Sequence, residues 1–437
     1  MLTAFTRAFK TPDLRRKLLF TLGIMALFRL GSHVPVPGVS YKAVQACLKQ
    51  ADTSTGVLGL ANLFSGGALL QLSIFALGIM PYITASIIIQ LLTVVIPRFD
   101  ALKKEGQSGT AKLTQYTRYL TIGLAVLQSS TLITFAQNPS ALFGPQCTNI
   151  LTSTGMPTIM IMVLTMTAGT GMVMWLGELI TDKGIGNGMS LLIFTSIASR
   201  FPSSLWAIQQ KDGRWDIFFG VILLGFFIIA AVIFVEQSQR RIPVQYAKRQ
   251  VGRQMYGGTS TYIPLKVNMA GVIPVIFASS MLALPGLVAQ FNRKADGTSA
   301  GWVNWIEANL VRGDHPIYMA IYTLLILFFT FFYVSITFNP TEVADNMKKY
   351  GGFIPGIRAG RPTAEYLDYV LTRITVPGAI YLALISLIPL IALVLVGANQ
   401  NFPFGGTSIL IIVGVGLETV KQIESQLQQR HYEGFLR

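Results

Sequence analysis

Long apolar runs separated by short polar segments follow one another along this chain from residue 18 to residue 426. A helix that crosses a lipid bilayer needs roughly 20 predominantly apolar residues. We predict ten such spans, at 18–36, 73–96, 117–136, 157–178, 188–206, 215–236, 269–290, 316–338, 374–396 and 408–426. The predicted fold class is an all-α polytopic membrane protein with ten transmembrane helices.

The composition supports this class and excludes two others. Of the 437 residues, 52% are hydrophobic and only 12% are charged, whereas about 25% are charged in an average globular domain. So few charges cannot cover the surface of a soluble protein of this size. Intrinsic disorder is excluded as well, because it requires low hydrophobicity.

The distribution of basic residues predicts the orientation of the chain in the membrane. The net charge is +15, and 25 of the 34 Lys and Arg residues lie in one set of alternating polar segments, while 7 lie in the other set. The basic set consists of the N-terminus, 97–118, 179–187, 237–268, 339–373 and the C-terminal tail, with Lys421 at the end of the last span counted in the tail. Because basic segments remain in the cytoplasm, both termini are predicted to be cytoplasmic.

Two of the basic segments, 237–268 and 339–373, are unusually long. Alternating residues around Gly257 and Gly258 predict a β-hairpin in the first of them. Basic cytoplasmic loops commonly act as topology determinants or lipid contacts. Their length and turn residues equally favour docking of a large acidic or RNA-containing partner, so both interpretations stay open.

A shorter apolar segment, 60–72, is interrupted by Gly66 and Gly67 and cannot span a bilayer. It is either an interfacial turn or a segment folded back into a cavity.

The residues offer little for catalysis or for cofactor binding. The three histidines lie at span ends or in the tail, and no Ser/His or paired-Asp arrangement lies at membrane depth. The glycine-rich segment 184–188 lacks the strand that precedes a phosphate-binding loop, so we predict a tight turn between helices there. Neither a cofactor nor a metal site is predicted. Cys47 and Cys147 match no metal-binding spacing, and free thiols are favoured over a single bridge between them.

A secondary transporter for a small solute is the main alternative that these patterns leave open. The carboxylates of Glu178, Glu236 and Glu418 lie toward the cytoplasmic ends of their spans, and Arg29 is the clear charge deeper in a span. Such a charge is either structural or snorkels to the interface. An interior this poor in charge does not favour a proton relay.

Several motifs along the chain resemble those of the SecY family, whose members are the central subunits of bacterial protein-conducting channels. They are the segments 62–67, 73–83, 184–188, 239–244 and 353–358. The resemblance implies two inverted halves of five helices around a central pore, here 1–210 and 211–437. It also implies passage of unfolded secretory proteins across the bacterial plasma membrane and lateral release of membrane-protein segments into it.

The resemblance assigns candidate site residues to this sequence. The expected plug lies near 60–72, with Asn62, Leu63, Phe64, Ser65, Gly66 and Gly67. The expected lateral gate has a polar cluster of Thr84, Gln128 and Asn268. The expected pore ring consists of Ile79, Ile83, Met189, Ile193, Ile276 and Ile411. Met189 departs from the commoner isoleucine, but it is flexible and apolar, so the ring should still seal.

The resemblance also implies partners. The small membrane subunits SecE and SecG, the SecA motor ATPase, the ribosome with its RNA and proteins at the exit tunnel, signal sequences, nascent chains and membrane lipids are expected. The expected docking residues for SecA or the ribosome are Arg240, Arg241, Lys248, Arg249, Arg253, Arg358 and Arg361.

Overall fold

The computed structural model describes residues 9–50, 65–137, 147, 150–153, 155–202, 215–246, 249–251, 254–256, 260–291, 301–311, 315–396 and 406–433. Fourteen α-helices make up most of this described part of the chain. In chain order they are α1 (Pro12–Gly31), α2 (Tyr41–Gln50), α3 (Met80–Val95), α4 (Pro97–Lys104), α5 (Gln107–Gln137), α6 (Met156–Lys183), α7 (Gly188–Ala198), α8 (Trp215–Gln237), α9 (Ile273–Phe291), α10 (Gly301–Ile306), α11 (Pro316–Thr337), α12 (Pro340–Lys349), α13 (Arg361–Val396) and α14 (Gly406–Glu433). A π-helical turn, Glu307–Val311, follows α10.

Every predicted span overlaps one of these helices, but the second begins later than predicted. Ser73 forms a β-bridge with Pro35, residues 74–79 form turns, and α3 starts only at Met80. Gly78 has a φ of 55°, which a right-handed helix does not contain. Pro81 then lies in the first turn of α3, where a missing N–H costs nothing. The predicted start at residue 73 is therefore wrong.

The apolar surface of the helices confirms the predicted class of membrane protein. Within the described residues, three helical stretches are long and apolar enough to cross a bilayer, namely Met156–Lys183, Pro316–Lys349 and Arg361–Ile388. On α8, Leu223, Phe226 and Phe234 each leave at least 75% of their surface uncovered by the chain. Soluble proteins rarely expose such apolar stripes, whereas lipid covers them in a membrane.

The chain divides into two compact units. The first consists of Met1–Gly213, Asn399–Pro403 and Val415–Arg437, and the second of Arg214–Ala398 and Phe404–Gly414.

Close helix packing and an ion pair between two helices stabilise the first unit. A Cβ added at Gly169 of α6 would overlap the carbonyl oxygen of Ile74. Small residues at such positions allow backbones to approach closely in membranes. Nearby, the guanidinium of Arg118 on α5 donates to both carboxylate oxygens of Glu178 on α6, at 2.9 and 2.8 Å.

The first unit also contains a disulfide bridge between Cys47 and Cys147. The expectation of two free thiols is therefore wrong. The two cysteines are 100 residues apart in the sequence, and their Cα atoms lie 5.8 Å apart, within the range that a bridge requires. Their proximity depends on how α2 and the segment around residue 150 pack, which spacing along the chain does not reveal.

Five strands form two small sheets in the second unit. They are β1 (Gln239–Tyr246), β2 (Arg249–Val251), β3 (Gln254–Tyr256), β4 (Ser260–Lys266) and β5 (Gly352–Phe353). Strands β1 and β4 pair in antiparallel register, and so do β2 and β3, which confirms the predicted hairpin. The innermost pairing, Val251 with Gln254, places the chain reversal before Gly257 and Gly258 rather than at them.

The two long basic segments share one hydrophobic core. Strand β5 pairs with β1, joining Gln245 to Phe353 across the two segments. Buried side chains from β1, β4, α12, the turn after β5 and α13 pack together, namely Ile242, Val244, Leu265, Met347, Ile354, Leu367 and Val370. The two segments are thus a single folded layer, which the sequence pattern did not indicate.

Candidate functional site

The residues expected in the pore ring lie near helix ends in each unit. In the first unit, Ile79 precedes α3 and Ile83 lies one turn into it, while Met189 and Ile193 lie one turn apart on α7. Ile79 and Ile193 are buried, with 2% and 7% exposure, and Ile83 and Met189 are half-buried. The Met189 thioether lies directly over Gly177 of α6. Met189 therefore contributes to helix packing as well.

In the second unit, Ile276 and Ile411 are both buried and lie on neighbouring helices. Gly414, almost one turn after Ile411 on α14, would place a Cβ 3.7 Å from Val272, which lies one turn before Ile276. The two isoleucines therefore both lie about one turn from the contact between α14 and the start of α9.

The described part of the expected plug begins at Ser65, and Asn62, Leu63 and Phe64 lie outside the described residues. Gly66 and Gly67 have φ angles of 67° and 92°, a left-handed conformation that favours glycine. A Cβ on Gly66 would lie 3.1 Å from the Cα of Ser196 on α7. Gly66 of this turn therefore packs closely against α7, and a side chain there would crowd the Ser196 backbone.

A basic side chain binds this turn. The guanidinium of Arg29, near the end of α1, donates a hydrogen bond of 2.8 Å to the carbonyl oxygen of Gly66. The Arg200 side chain lies near the same turn, with its Nε 3.7 Å from where a Cβ of Gly67 would lie. The sequence marked Arg29 as an intramembrane charge but could not reveal its partner, which is 37 residues away.

The expected lateral-gate residues lie on two different helices and on one segment between a strand and a helix. Asn268 lies between β4 and α9, is 3% exposed, and donates to Glu236 Oε1 at 2.7 Å and to the Gly271 carbonyl at 3.2 Å. The Thr84 hydroxyl donates to the Met80 carbonyl within α3, and Gln128 is half-buried on α5. The bond from Asn268 to Glu236 was not foreseen.

The Asn268 amide carries one group that is not satisfied within the described part of the chain. Its Oδ1 is buried and accepts no hydrogen bond there. Any partner that completes this amide must therefore be a donor, such as a hydroxyl or an amide N–H.

The basic docking candidates lie around the shared sheet. Arg240 and Arg241 are exposed on β1, and the Arg241 guanidinium stacks over the Tyr262 ring at 4.9 Å. Arg358 is exposed in the turn between β5 and α13, where its carbonyl accepts a hydrogen bond from the Thr363 hydroxyl. The pairing of β5 with β1 brings the Arg358 turn to the same sheet as Arg240.

The remaining docking candidates are Arg361, Lys248, Arg249 and Arg253. Arg361 pairs with Glu365 at 3.0 Å on the exposed face of α13. Lys248 and Arg253 lie outside the described residues, and for Arg249 only the backbone is described, in β2. Two exposed lysines on α12, Lys348 and Lys349, add basic charge near these residues, and neither belongs to a family motif.

The glycine-rich segment 184–188 is the predicted tight turn between helices. Asn187 caps α7 by accepting hydrogen bonds from the N–H groups of Met189 and Ser190. A Cβ on Gly188 would overlap the carbonyl oxygen of Gly177. The glycine thus serves close packing of α7 on α6, and the turn follows a helix rather than a strand.

Comparison with known proteins agrees with this architecture. The SecY family model matches residues 73–420. A protein translocase subunit SecY from Streptomyces scabiei is 68% identical over 442 residues, covering 100% of both chains. Among solved structures, one described as "The structure of a protein conducting channel" has a TM-score of 0.58 at 18% identity, covering 94% of this chain and 91% of its own. Sec61 in a canine ribosome-channel complex gives the same values.

The fold is that of the protein-conducting membrane channels. The chain belongs to the SecY family, because both the family model and a full-length relative at 68% identity match it. It is therefore a channel subunit of a protein translocase and not an enzyme. The alternative of a small-solute transporter is excluded.

Proposed function

We propose that the apolar side chains at 79, 83, 189, 193, 276 and 411 form the seal of the channel through which unfolded chains pass. Their burial and their position at helix ends in both units support this role. A narrow hydrophobic constriction expels water and so blocks hydrated ions. Aliphatic side chains also close around any sequence, because apolar burial is non-directional.

The Gly66–Gly67 turn belongs to the plug that covers this seal in the idle channel. Its support is the contact with Arg29 and the tight packing against Ser196. Segment 65–79 holds no regular helix in the described structure, so it can be displaced without breaking an α-helix.

Thr84, Gln128 and Asn268 form the polar cluster of a lateral gate that opens the channel toward lipid. The support is the buried Asn268 Oδ1, which accepts no hydrogen bond within the described residues and can therefore take up a donor. Signal sequences would enter the membrane through this gate, with lipids as the receiving phase.

The shared sheet and its basic rim are the docking site for cytoplasmic partners. Exposed Arg240, Arg241 and Arg358 offer bidentate donors to carboxylates or phosphates. The ribosome, with its RNA and exit-tunnel proteins, and the SecA motor would bind here, while SecE and SecG would be the membrane subunits. With basic segments inside, the chain lies in the bacterial plasma membrane with both termini cytoplasmic.

One experiment tests the seal. Asparagine in place of Ile83, Ile276 and Ile411 together should wet the constriction and give measurable ion conductance of the idle channel in planar bilayers. Leucine at the same three positions is the matched control and should stay closed, because it keeps the ring apolar. Equal, near-zero conductance of both triple variants would mean that these residues only pack helices.

Transport itself is tested in vesicles. The reconstituted complex should translocate an unfolded secretory chain only when SecA or a ribosome is supplied. Failure to do so with functional partners present would contradict the proposed docking site.

A further inference from the structure

The disulfide between Cys47 and Cys147 belongs to none of the sites above, and its surroundings are apolar. The exposed fractions of the two residues are 8% and 3%. They lie in a cluster of buried side chains from α2, α5, α6 and the segment that follows the plug turn, including Leu69, Leu70 and Leu72.

The two cysteines are brought together by backbone contacts that do not involve sulfur. Val39 and Leu151 form an antiparallel bridge. Beside it, the N–H of Ser40 donates to the Ile150 carbonyl at 2.9 Å, and the N–H of Thr152 donates to the Gly38 carbonyl at 3.0 Å. The residues that follow Cys147 are thus also held by backbone hydrogen bonds next to the residues that precede α2.

The order of the helices restricts where the bridge can form. Two predicted spans, those of α3 and α5, lie between Cys47 and Cys147, so both cysteines are on the same side of the membrane. The charge distribution assigns the segments that hold them to the non-cytoplasmic side. Disulfides persist outside the cytoplasm and are reduced inside it.

We propose that Cys47 and Cys147 are a site of oxidative modification on the extracytoplasmic side, and that the resulting bridge braces the plug segment. This rests on the proposed topology and plug. The oxidant is a thiol–disulfide oxidoreductase in its disulfide form. One cysteine thiolate attacks that disulfide and expels one of its sulfurs as a thiolate. The second cysteine thiolate then displaces the oxidoreductase, which leaves as a dithiol that has gained the two electrons and two protons of the pair.

The bridge is expected to brace the plug segment because both belong to one cluster of buried side chains. Leu69, Leu70 and Leu72 anchor the segment after the plug turn in the same cluster as both cysteines. The backbone continues the contact, because the N–H of Val36 donates to the Leu72 carbonyl at 3.0 Å and the N–H of Ile74 donates to the Val34 carbonyl at 2.9 Å. A covalent link across this cluster therefore restricts the anchored end of the plug segment.

Thiol labelling tests the modification without relying on channel activity. The complex is purified under thiol-blocking conditions, denatured, and treated with a maleimide reagent before and after reduction. We expect no label before reduction and two labelled cysteines after it. Labelling of both residues without reduction, no new label after reduction, or a bridge between two copies of the chain would overturn the proposal. Synthesis in cells grown with dithiothreitol should yield the reduced form, and a bridge formed equally well in that reducing medium would refute the assigned route of oxidation.

The bracing role is tested by ion flux through the idle channel. Alanine at both positions should raise the flux severalfold, and reduction of the wild-type bridge should do the same. Reductant applied to the double alanine variant is the control and should have no effect. An unchanged flux in the double variant, with the bridge present in the wild type, would refute bracing. An unchanged flux would not bear on the proposed seal, which the conductance of the isoleucine variants tests separately.

Discussion

The hydrogen bond from Arg29 to Gly66 predicts that loss of one side chain loosens the plug. Arg29→Met keeps the length and apolar stem of the side chain but removes the guanidinium. Phe28, its neighbour on α1, stacks on Phe75 with ring centroids 5.9 Å apart, so the helix should remain beside the segment in the variant. What is lost is the donor at 2.8 Å.

The free energy lost with this hydrogen bond follows from its being made by a charged group. Hydrogen bonds that involve a charged group contribute about 1.5–3 kcal/mol. Arg29 is half-buried, and removal of its charge also relieves repulsion with Arg200 across the same turn, so the lower figure applies. A loss of about 1.4 kcal/mol changes an equilibrium tenfold. The population with a displaced plug, and with it the idle ion flux, should rise about tenfold.

Ion efflux from reconstituted vesicles measures this change. Lys42→Met is the matched control, because Lys42 is an exposed basic residue of the same unit, on α2. Arg29→Lys retains a donor and should fall between wild type and Arg29→Met. Equal idle flux in wild type and Arg29→Met, with a leaking asparagine ring variant in the same assay, would refute the role of this bond.

Three further substitutions test the gate, the docking site and the packing. Asn268→Leu removes the donor to Glu236 and the local donor to the Gly271 carbonyl. The bond to Glu236 alone, at about 0.6–1.7 kcal/mol, should shift gate opening about 3- to 18-fold. An unchanged signal-hydrophobicity threshold would contradict this. Arg358→Glu should impair SecA-driven translocation but leave thermal stability unchanged, because the residue is exposed. Normal translocation by this variant would show that Arg358 is not part of the docking site. Gly169→Ala should lower the stability of the protein by about 1–3 kcal/mol, measured as a lower Tm, because the added Cβ overlaps Ile74. Gly123→Ala is the control and should leave the Tm unchanged, because the added Cβ meets no packed neighbour within 4 Å.

Properties that depend on one stretch of chain at a time were predictable from the sequence. Apolar runs of spanning length each overlap a helix, because burial in lipid and backbone hydrogen bonding within the helix are both local requirements. The hairpin of β1 and β4 and the turn at 184–188 likewise follow from alternation and turn residues. Family motifs then identified the channel.

Contacts between distant segments were decided only by the tertiary structure. The Cys47–Cys147 bridge, the bond from Arg29 to Gly66 and the bond from Asn268 to Glu236 join residues 100, 37 and 32 positions apart. The shared core of the two basic segments depends on β5 meeting β1 across more than a hundred residues. No periodicity records such pairings, because they result from loop closure and from which buried faces fit together. The sequence therefore determined the helices, and packing decided which side chains contact the Gly66–Gly67 turn, the Asn268 amide and the sheet shared by the two basic segments.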